Sequence, residues 1–342
     1  IAINHNACGS CRIALDAQFL FWILLTGFSV LVLINPFFSN NPPESFSQVS
    51  LYLILPLSCL IGAFLFKKIE GFVLLFILSA ALMSVFLVIL ALWQYTLFYG
   101  ADFISKIYTP SGLFMNPNIL AVSLAIIFVP VFGFACIQKN IINYVFYISI
   151  CGLLFTGILL TKSDSVLWLT VLCTTLSILF LYRDLKQHLS QVLITVLVLA
   201  TLFLVYIQLG SNSLGDVTSL RNVSYRIDMY DSILPLIYGM PVFGYGLGTF
   251  PDLYRMVRTE FLTGGMMAHS NILDFLLGMG PLIIIFFYGL MISVAIMTFK
   301  AWRSDGLSKI HRIYLSGLFF GSVLAAAHSH ISGTYSVAYI LF

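Results

Sequence analysis

Long apolar runs alternate with short polar linkers along most of this chain. Several of the runs exceed the roughly 18 to 20 residues that cross the hydrocarbon core of a bilayer. The pattern therefore predicts an all-α, polytopic integral membrane protein with about nine or ten visible transmembrane helices. The predicted spans are 19–37, 51–66, 71–93, 119–136, 144–161, 166–182, 191–209, 280–299 and 313–328, followed by an apolar stretch that starts near Val337.

Composition agrees with this architecture. The chain is 60% hydrophobic and 8% charged, whereas a soluble domain has roughly 25% charged residues. Its net charge of +3 is small and spread over the linkers, so we expect no nucleic-acid partner. We predict a single membrane domain over residues 1–342. Because the chain begins with Ile1 and ends in an apolar run, we expect native sequence to be missing at its N-terminus and leave the same expectation open for its C-terminus.

Basic residues in the short linkers predict the orientation through the positive-inside rule. With the N-terminus in the cytoplasm, nearly all of these residues fall on the cytoplasmic side, and the short outer linkers hold only Lys106 and Lys162. The segment 210–270 then lies outside the cytoplasmic membrane. This long loop gathers charged and polar residues in an otherwise apolar chain, so we expect it to carry the chemistry.

Within this loop, residues 224–234 are predicted to form a helix. Ser224 can cap the helix, and Pro235 is expected to break it. Arg226 and Tyr230 lie four positions apart and therefore share a helix face.

A run of alternating glycines follows, at residues 244–248. Such a run either lets two backbone segments approach each other or exposes N–H groups to an anion. The spacing is that of neither a dinucleotide fingerprint nor a P-loop. We favour a compact turn over an anion site.

His269 is the most suggestive single residue. Asn271 and Asp274 have the spacing of a capping box, so a helix is predicted to begin at Asn271 and to run past Gly280 into the next span. The positive end of that helix disfavours imidazolium, and a neutral imidazole can act as a general base. The alternative is a loop histidine that is hydrogen-bonded at a helix start, and spacing alone leaves both open.

Arginines form the second group of candidates, since four of them lie in the one loop. Their planar guanidinium suits bidentate binding of phosphate, although loop arginines also snorkel to lipid headgroups. Arginine with histidine suits group transfer from a polyprenyl diphosphate, in which the leaving group is already activated. We expect no metal and no cofactor, because the acidic residues of the outer linkers are scattered. The arginines are Arg221, Arg226, Arg255 and Arg258.

Two shorter outer linkers add candidates. Asn118 follows an Asn-Pro turn signal and is predicted to cap the next span. Lys162 lies in a tight turn, near enough to Asp164 to pair with it.

Three stretches of this sequence resemble the O-antigen ligase and polymerase family of bacterial envelope glycosyltransferases, over about residues 100–300. Each motif is weak by itself, but their order and spacing agree with the family. The stretches are Gly112 to Asn118, which is similar to a Gly-x-Phe-x-Asn-Pro-Asn pattern; Arg226 to Tyr230 with Pro241 to Phe250; and His269 with Gly280 eleven positions later.

The resemblance implies an enzyme of the bacterial inner membrane that works at the periplasmic face without metal. Its donor would be a glycan on undecaprenyl diphosphate, and its acceptor a lipid A-core sugar or another glycan. By the resemblance, His269 activates the acceptor and Arg226 holds the diphosphate. Further substrate-binding candidates are Arg221, Lys162, Tyr230, Asn118, Arg255 and Arg258.

The sequence departs from the family at one notable place and leaves alternatives open. Where the family usually has an arginine that binds diphosphate, Asp164 follows Ser163. The family also has about twelve spans. A repeat-unit polymerase and a protein O-oligosaccharyltransferase are alternatives within the same superfamily. A transporter or a lipid-binding scaffold is the alternative from another class, and spans that are nearly free of charge argue against an ion-coupled carrier.

Overall fold

A computed structural model describes most of the chain. The described residues are 9–68, 72–99, 111–113, 117–210, 218–258, 270–303 and 308–332. Within them, every regular element is helical.

The described residues contain thirteen α-helices. In chain order they are α1 (Gly9–Ile34), α2 (Pro42–Lys68), α3 (Phe72–Tyr99), α4 (Pro117–Ile137), α5 (Ile141–Leu160), α6 (Asp164–Phe180), α7 (Tyr182–Leu185), α8 (Leu189–Gly210), α9 (Thr218–Tyr238), α10 (Phe250–Val257), α11 (Asn271–Met279), α12 (Pro281–Arg303) and α13 (Lys309–Ser332). Two short 3-10 helices lie at Asn35–Phe38 and Lys186–His188.

Each of the nine predicted spans overlaps one of these helices, and the all-α polytopic class is confirmed. The apolar stretch that starts near Val337 lies outside the described residues. Among the described residues, seven helices are long and apolar enough to cross a membrane. They are Gln18–Phe38, Pro42–Ile61, Pro117–Ile137, Ile141–Leu160, Lys186–Val205, Pro281–Arg303 and Lys309–His328. The apolar stretches Leu78–Gln94 and Asp164–Phe180 are shorter.

The predicted boundaries of α9 are wrong at both ends. The helix begins at Thr218 rather than at Ser224, and it continues through Pro235 to Tyr238. A proline inside a helix removes one backbone hydrogen bond and crowds the preceding turn. Met229 and Ile233 are fully buried on the same helix, and we infer that their packing offsets this cost.

Two helix starts also differ from prediction. Asn118 does not cap α4, because Pro117 is already the first helical residue and Asn118 is the second. Proline suits that first position, where no intrahelical bond uses the missing N–H. α11 does begin at Asn271, but Ser270 is its cap residue and makes no side-chain capping bond. The capping box predicted from Asn271 and Asp274 is therefore wrong.

The predicted continuation of α11 into the next span is also wrong, because the helix breaks at Gly280. This residue has a φ of 79°, which favours glycine. A Cβ on it would collide with the carbonyl oxygen of Val242. α12 begins at the next residue, Pro281.

Packing divides the chain into two compact units, which are described separately. The first, unit 1, contains residues 1–61 and 224–307, and unit 2 contains residues 62–223 and 308–341. The single membrane domain stays a prediction.

In unit 1, α1 packs along α12 at two glycines, Gly27 of α1 and Gly289 of α12. A Cβ on Gly27 would meet the ring of Phe286, and a Cβ on Gly289 would lie 3.0 Å from Leu24. The two long helices therefore approach each other closely, as small residues allow in membrane bundles.

In unit 2, α4 forms the centre. Its apolar stretch is entirely buried, as expected for a helix that is hydrophobic on all sides. α13 packs against it through two glycines four residues apart: a Cβ on Gly317 would lie 2.5 Å from the Cα of Pro130, and one on Gly321 would lie 3.0 Å from the Ile126 carbonyl oxygen. This small-xxx-small arrangement brings the two backbones together.

We therefore predict that Gly317→Ala destabilises the protein by about 1–3 kcal/mol, because the added methyl group overpacks a backbone contact. Gly152→Ala is the matched control, since its Cβ would meet only a Leu202 methyl at 3.6 Å. It should be neutral or stabilising, as alanine is the better helix former. Thermal unfolding of both variants in one detergent measures the difference, and equal unfolding temperatures would contradict this packing.

Candidate active site

A buried asparagine at the end of α1 organises this region of unit 1. Asn35 is 2% exposed. Its Nδ2 donates to the carbonyl oxygens of Phe243 and Gly278, both at 2.9 Å. Its Oδ1 accepts from the backbone N–H of Leu247 at 2.8 Å. One carboxamide thus joins the end of α1, the glycine run and the end of α11.

The glycine run, residues 244–248, is a backbone strut. Gly244, Gly246 and Gly248 all have positive φ, at 71°, 119° and 74°. A Cβ on Gly244 would lie 2.6 Å from backbone atoms of Leu277, Gly278 and Gly280. Glycine is needed here both for the conformation and for the close approach.

The amides of the strut are used within the protein. Tyr245 N–H donates to the Leu277 carbonyl at 2.7 Å, and Gly246 N–H donates to the Gly278 carbonyl at 2.9 Å. Gly244 N–H donates to Pro241 at 2.9 Å, and Leu247 N–H donates to Asn35. The glycine run was expected either to let two backbone segments approach each other or to present N–H groups to an anion. These four N–H groups bond within the protein, so the first interpretation holds for them.

The turn between α1 and α2 closes the other side of the strut. Ser45 Oγ donates to the Leu247 carbonyl at 2.9 Å, and it lies 2.7 Å from Ser39 Oγ. Asn40 N–H donates to the Tyr245 carbonyl at 2.8 Å. The turn, the strut and the end of α11 form one hydrogen-bonded layer, which we call the strut layer (residues 35–45, 243–249 and 277–280).

A small apolar core supports the strut layer. Met229 and Ile233 of α9 pack with Phe250 and Tyr254 of α10 and with Leu277 of α11. The rings of Phe250 and Tyr254 stack with their centroids 5.7 Å apart. α9 and α11 therefore share one core. Of the two predicted catalytic residues, Arg226 belongs to α9, and His269 precedes α11 in the sequence.

The structure describes the backbone of most predicted site residues, but it describes the side chains of only some of them. Arg221 and Arg226 belong to α9, but their side chains are outside the described residues. Tyr230 is half-buried against the small core. His269 lies outside the described residues, two positions before α11 begins.

Arg255 and Arg258 lie on and just after α10. Arg255 pairs with Asp252 at 3.0 Å, and the two side chains are 62% and 45% exposed. An exposed pair of this kind contributes at most about 1 kcal/mol. Asp252 also accepts a hydrogen bond from Asn41 Nδ2 at 3.3 Å. To bind a phosphate, the guanidinium of Arg255 would therefore have to leave its ion pair with Asp252. Arg258 is exposed.

Asn118 and Lys162 belong to unit 2. Asn118 is half-buried in the first turn of α4. Lys162 lies between α5 and α6 with a φ of 53°, and burial lowers the pKa of its amine. The predicted pair with Asp164 is wrong, because no carboxylate of the described residues is within ion-pair distance of Lys162. Asp164 is exposed at the start of α6, where the helix dipole favours its charge.

Metal ligands do not cluster in the part of the chain that the structure describes. No group of three or more His, Cys, Asp or Glu residues is placed there to hold a metal ion.

Asn35, Ser39 and Ser45 are structural residues of this region that sequence reasoning missed. The only sequence signal was a polar residue, followed by Pro36, at the end of an apolar run, and an ordinary turn explains that signal equally well. The partners of Asn35 are more than 200 positions away in sequence, so no local pattern identifies them.

The apolar helices and their packing define a polytopic α-helical membrane protein. Residues 149–288, from α5 into α12, match the family described as O-antigen ligase. The resemblance inferred from the sequence motifs is confirmed by this match, which places the O-antigen ligase region over α9, the strut and α11. It indicates a glycosyltransferase-like enzyme of a bacterial membrane. No curated protein sequence matches the chain.

The strut layer gives a stability prediction. Asn35→Leu removes the partners of the Phe243 carbonyl and of the Leu247 N–H, and each buried group left without a partner costs about 1–3 kcal/mol. The Gly278 carbonyl keeps its bond from Gly246 N–H. We expect a loss of about 2 kcal/mol or more, or a failure to fold. Asn40→Leu is the matched control, because the Asn40 side chain is exposed and only its backbone bonds to the strut; it should change stability by less than about 0.5 kcal/mol.

Thermal unfolding in one detergent compares these two variants with the parent protein. Similar losses for Asn35→Leu and Asn40→Leu would contradict the role given to the buried carboxamide.

Proposed function

We propose that the protein is an O-antigen ligase-like glycosyltransferase. It transfers a glycan from undecaprenyl diphosphate to a lipid A-core acceptor at the periplasmic face of the inner membrane, without a metal ion. The observation that carries the proposal is the O-antigen ligase match over residues 149–288. The shared core of α9 and α11 lies within that stretch and supports a common site for the residues these helices position.

Arg226 binds the donor diphosphate in this proposal. Its guanidinium fork suits two phosphate oxygens at once. The four strut amides at residues 244–247 donate within the protein, so the proposal assigns the binding of the diphosphate to side chains. Arg221 and Lys162 are the candidates to substitute for the second family arginine, whose place is taken by Asp164. Tyr230, Asn118, Arg255 and Arg258 are weaker candidates for contacts with the substrates.

His269 acts on the acceptor. It precedes α11, and the positive end of that helix favours the neutral imidazole, which can accept a proton. The acceptor hydroxyl gives its proton to His269 as its oxygen bonds to the anomeric carbon of the donor glycan. The bond from that carbon to the diphosphate breaks, and the lipid diphosphate leaves with the electron pair. Arg226 stabilises the charge that develops on it.

The orientation rests on the distribution of basic residues. The linkers assigned to the cytoplasm carry Lys139, Lys186, Lys309 and Arg312 among others. This bias, counted over short linkers, is the one that sets membrane topology. It supports a periplasmic position for the segment between α8 and α12.

The variants His269→Ala and Arg226→Ala test the assignment. Loss of a general base lowers a rate by about 10²–10⁴-fold, so we expect glycan transfer by His269→Ala to fall by at least about 10²-fold. Arg226→Ala should weaken donor binding, and Arg226→Lys should restore it only in part, because lysine keeps the charge and lacks the fork. Transfer from a purified lipid-linked glycan to lipid A-core is the measurement.

His311→Ala is the matched control, since His311 bonds to Ser308 at the start of α13 and has no role in the proposal. It should transfer glycan as the parent does. Full transfer by both His269→Ala and Arg226→Ala would exclude the roles assigned to them. Lengthened lipid-linked donor in place of glycosylated lipid A-core would instead identify a repeat-unit polymerase.

A further inference from the structure

In unit 2, α13 and α4 are antiparallel, so the start of α13 lies beside the end of α4. A Cβ on Gly133 would lie 2.7 Å from Cγ2 of Ile313, and one on Gly321 would lie 3.0 Å from the Ile126 carbonyl oxygen. Moving up along α13 therefore corresponds to moving back along α4. By the same register, Lys309 at the start of α13 lies level with the linker that joins α4 to α5.

α5 and α8 begin near that same level. Tyr144, in the first turn of α5, donates its hydroxyl to the Gln191 carbonyl at 3.3 Å, and this hydroxyl lies 3.2 Å from Thr195 Oγ1. Gln191 belongs to the first turn of α8. The residues that precede α8 therefore lie at the same end of unit 2 as the α4–α5 linker.

Basic side chains gather where these helix ends meet. His188 closes the 3-10 helix before α8 and is 4% exposed. It lies within electrostatic range of Lys139, in the α4–α5 linker, and of Lys309. The ring of His188 makes no hydrogen bond to another described residue. We call Lys139, His188 and Lys309 the basic cluster.

The other described charges at this end are also positive, since Lys186 and Arg312 lie on the same elements as the cluster. Asp164 is the only carboxylate among the described side chains of unit 2, and it lies at the opposite end of α6. The side chain of Asp184 on α7 and the whole of Asp305 lie outside the described residues. The described side chains at this end therefore favour an anion.

Exposed aliphatic side chains flank the basic cluster. Ile142 in the first turn of α5 is 74% exposed. Leu189 directly follows His188 and is 50% exposed. Ile310 directly follows Lys309 and is 47% exposed. All three lie in helices that are long and apolar enough to cross a membrane, so an anion bound here lies beside hydrocarbon. The phosphate of a phospholipid has that position, and a soluble phosphate does not.

We propose that the basic cluster binds the headgroup of an anionic phospholipid, which belongs to the cytoplasmic leaflet in the orientation proposed above. Lys139 and Lys309 pair with its phosphate oxygens, and an N–H of the His188 imidazole donates to one of them. The acyl chains cover the exposed aliphatic side chains of α5, α8 and α13. The lipid thereby links helix ends that are remote in sequence, and its binding is independent of glycan transfer.

Native mass spectrometry of the full chain in a neutral detergent, titrated with phosphatidylglycerol, tests the proposal. Phosphatidylcholine with the same acyl chains is the reference, because its headgroup keeps the phosphate and has no net charge. We expect one phosphatidylglycerol to bind about tenfold more tightly than phosphatidylcholine, as two lysines at an anionic headgroup allow.

Single variants test the cluster itself. Lys139→Gln and Lys309→Gln should each raise the Kd for phosphatidylglycerol about fivefold. His188→Phe keeps a ring and removes the N–H donor, so it should weaken binding too; Lys139 is exposed, so its variant carries the test if His188→Phe does not fold. Arg303→Gln is the matched control, because it removes one exposed cation of α12 in unit 1 and should leave the Kd unchanged.

A further variant separates a lipid from a soluble phosphate. Ile142→Asn removes apolar surface beside the acyl chains and should weaken binding of phosphatidylglycerol. Displacement of phosphatidylglycerol by excess inorganic phosphate, with no effect of Ile142→Asn, would overturn the lipid assignment and identify a soluble-phosphate site.

Two other results would overturn the basic cluster as a site. Equal affinity for phosphatidylglycerol and phosphatidylcholine would show that the headgroup charge is not recognised. A loss for Arg303→Gln as large as the loss for Lys139→Gln would show that the whole surface charge, rather than the cluster, attracts the lipid.

Discussion

The carboxamide of Asn35 is the interaction on which unit 1 depends. It is buried where no water competes, so both its Nδ2 protons and its Oδ1 need partners within the protein. The carbonyls of Phe243 and Gly278 and the N–H of Leu247 supply them. Those partners are backbone groups of the strut and of the end of α11. A single side chain therefore fixes two remote segments against the end of α1.

The hydrogen bonds of Asn35 affect the proposed chemistry in two ways: they make the surrounding elements rigid, and they use a backbone N–H group that could otherwise bind an anion. A catalytic group has to be held by elements whose own positions are locked, and the strut layer with its small core locks the elements around α11. The strut amides, however, are committed to neighbouring carbonyls. In the proposed function, the side chains of Arg226, Arg221 and Lys162 supply the positive charge for the donor diphosphate.

The sequence predicted the membrane helices well, because run length and hydropathy decide whether a segment can cross a bilayer. It predicted local boundaries less well. Pro235 does not end α9, since the burial of Met229 and Ile233 outweighs what the proline removes. The helix break at Gly280 had a local signal, since Gly280 directly precedes Pro281. The close approach of Val242, which leaves no room for a Cβ on Gly280, is absent from any local pattern. Arg226 and His269 were identified by motif, and their chemical roles stay predictions.

Deletion of the gene in the native host, followed by analysis of the lipid-linked glycans, tests the central claim most directly. If the protein is a ligase, fully polymerised glycan should accumulate on its polyprenyl carrier while lipid A-core remains without glycan. Accumulation of single repeat units on the carrier would contradict the ligase assignment and identify a polymerase. Unchanged carrier-linked and core-linked glycan would contradict the glycosyltransferase account as a whole.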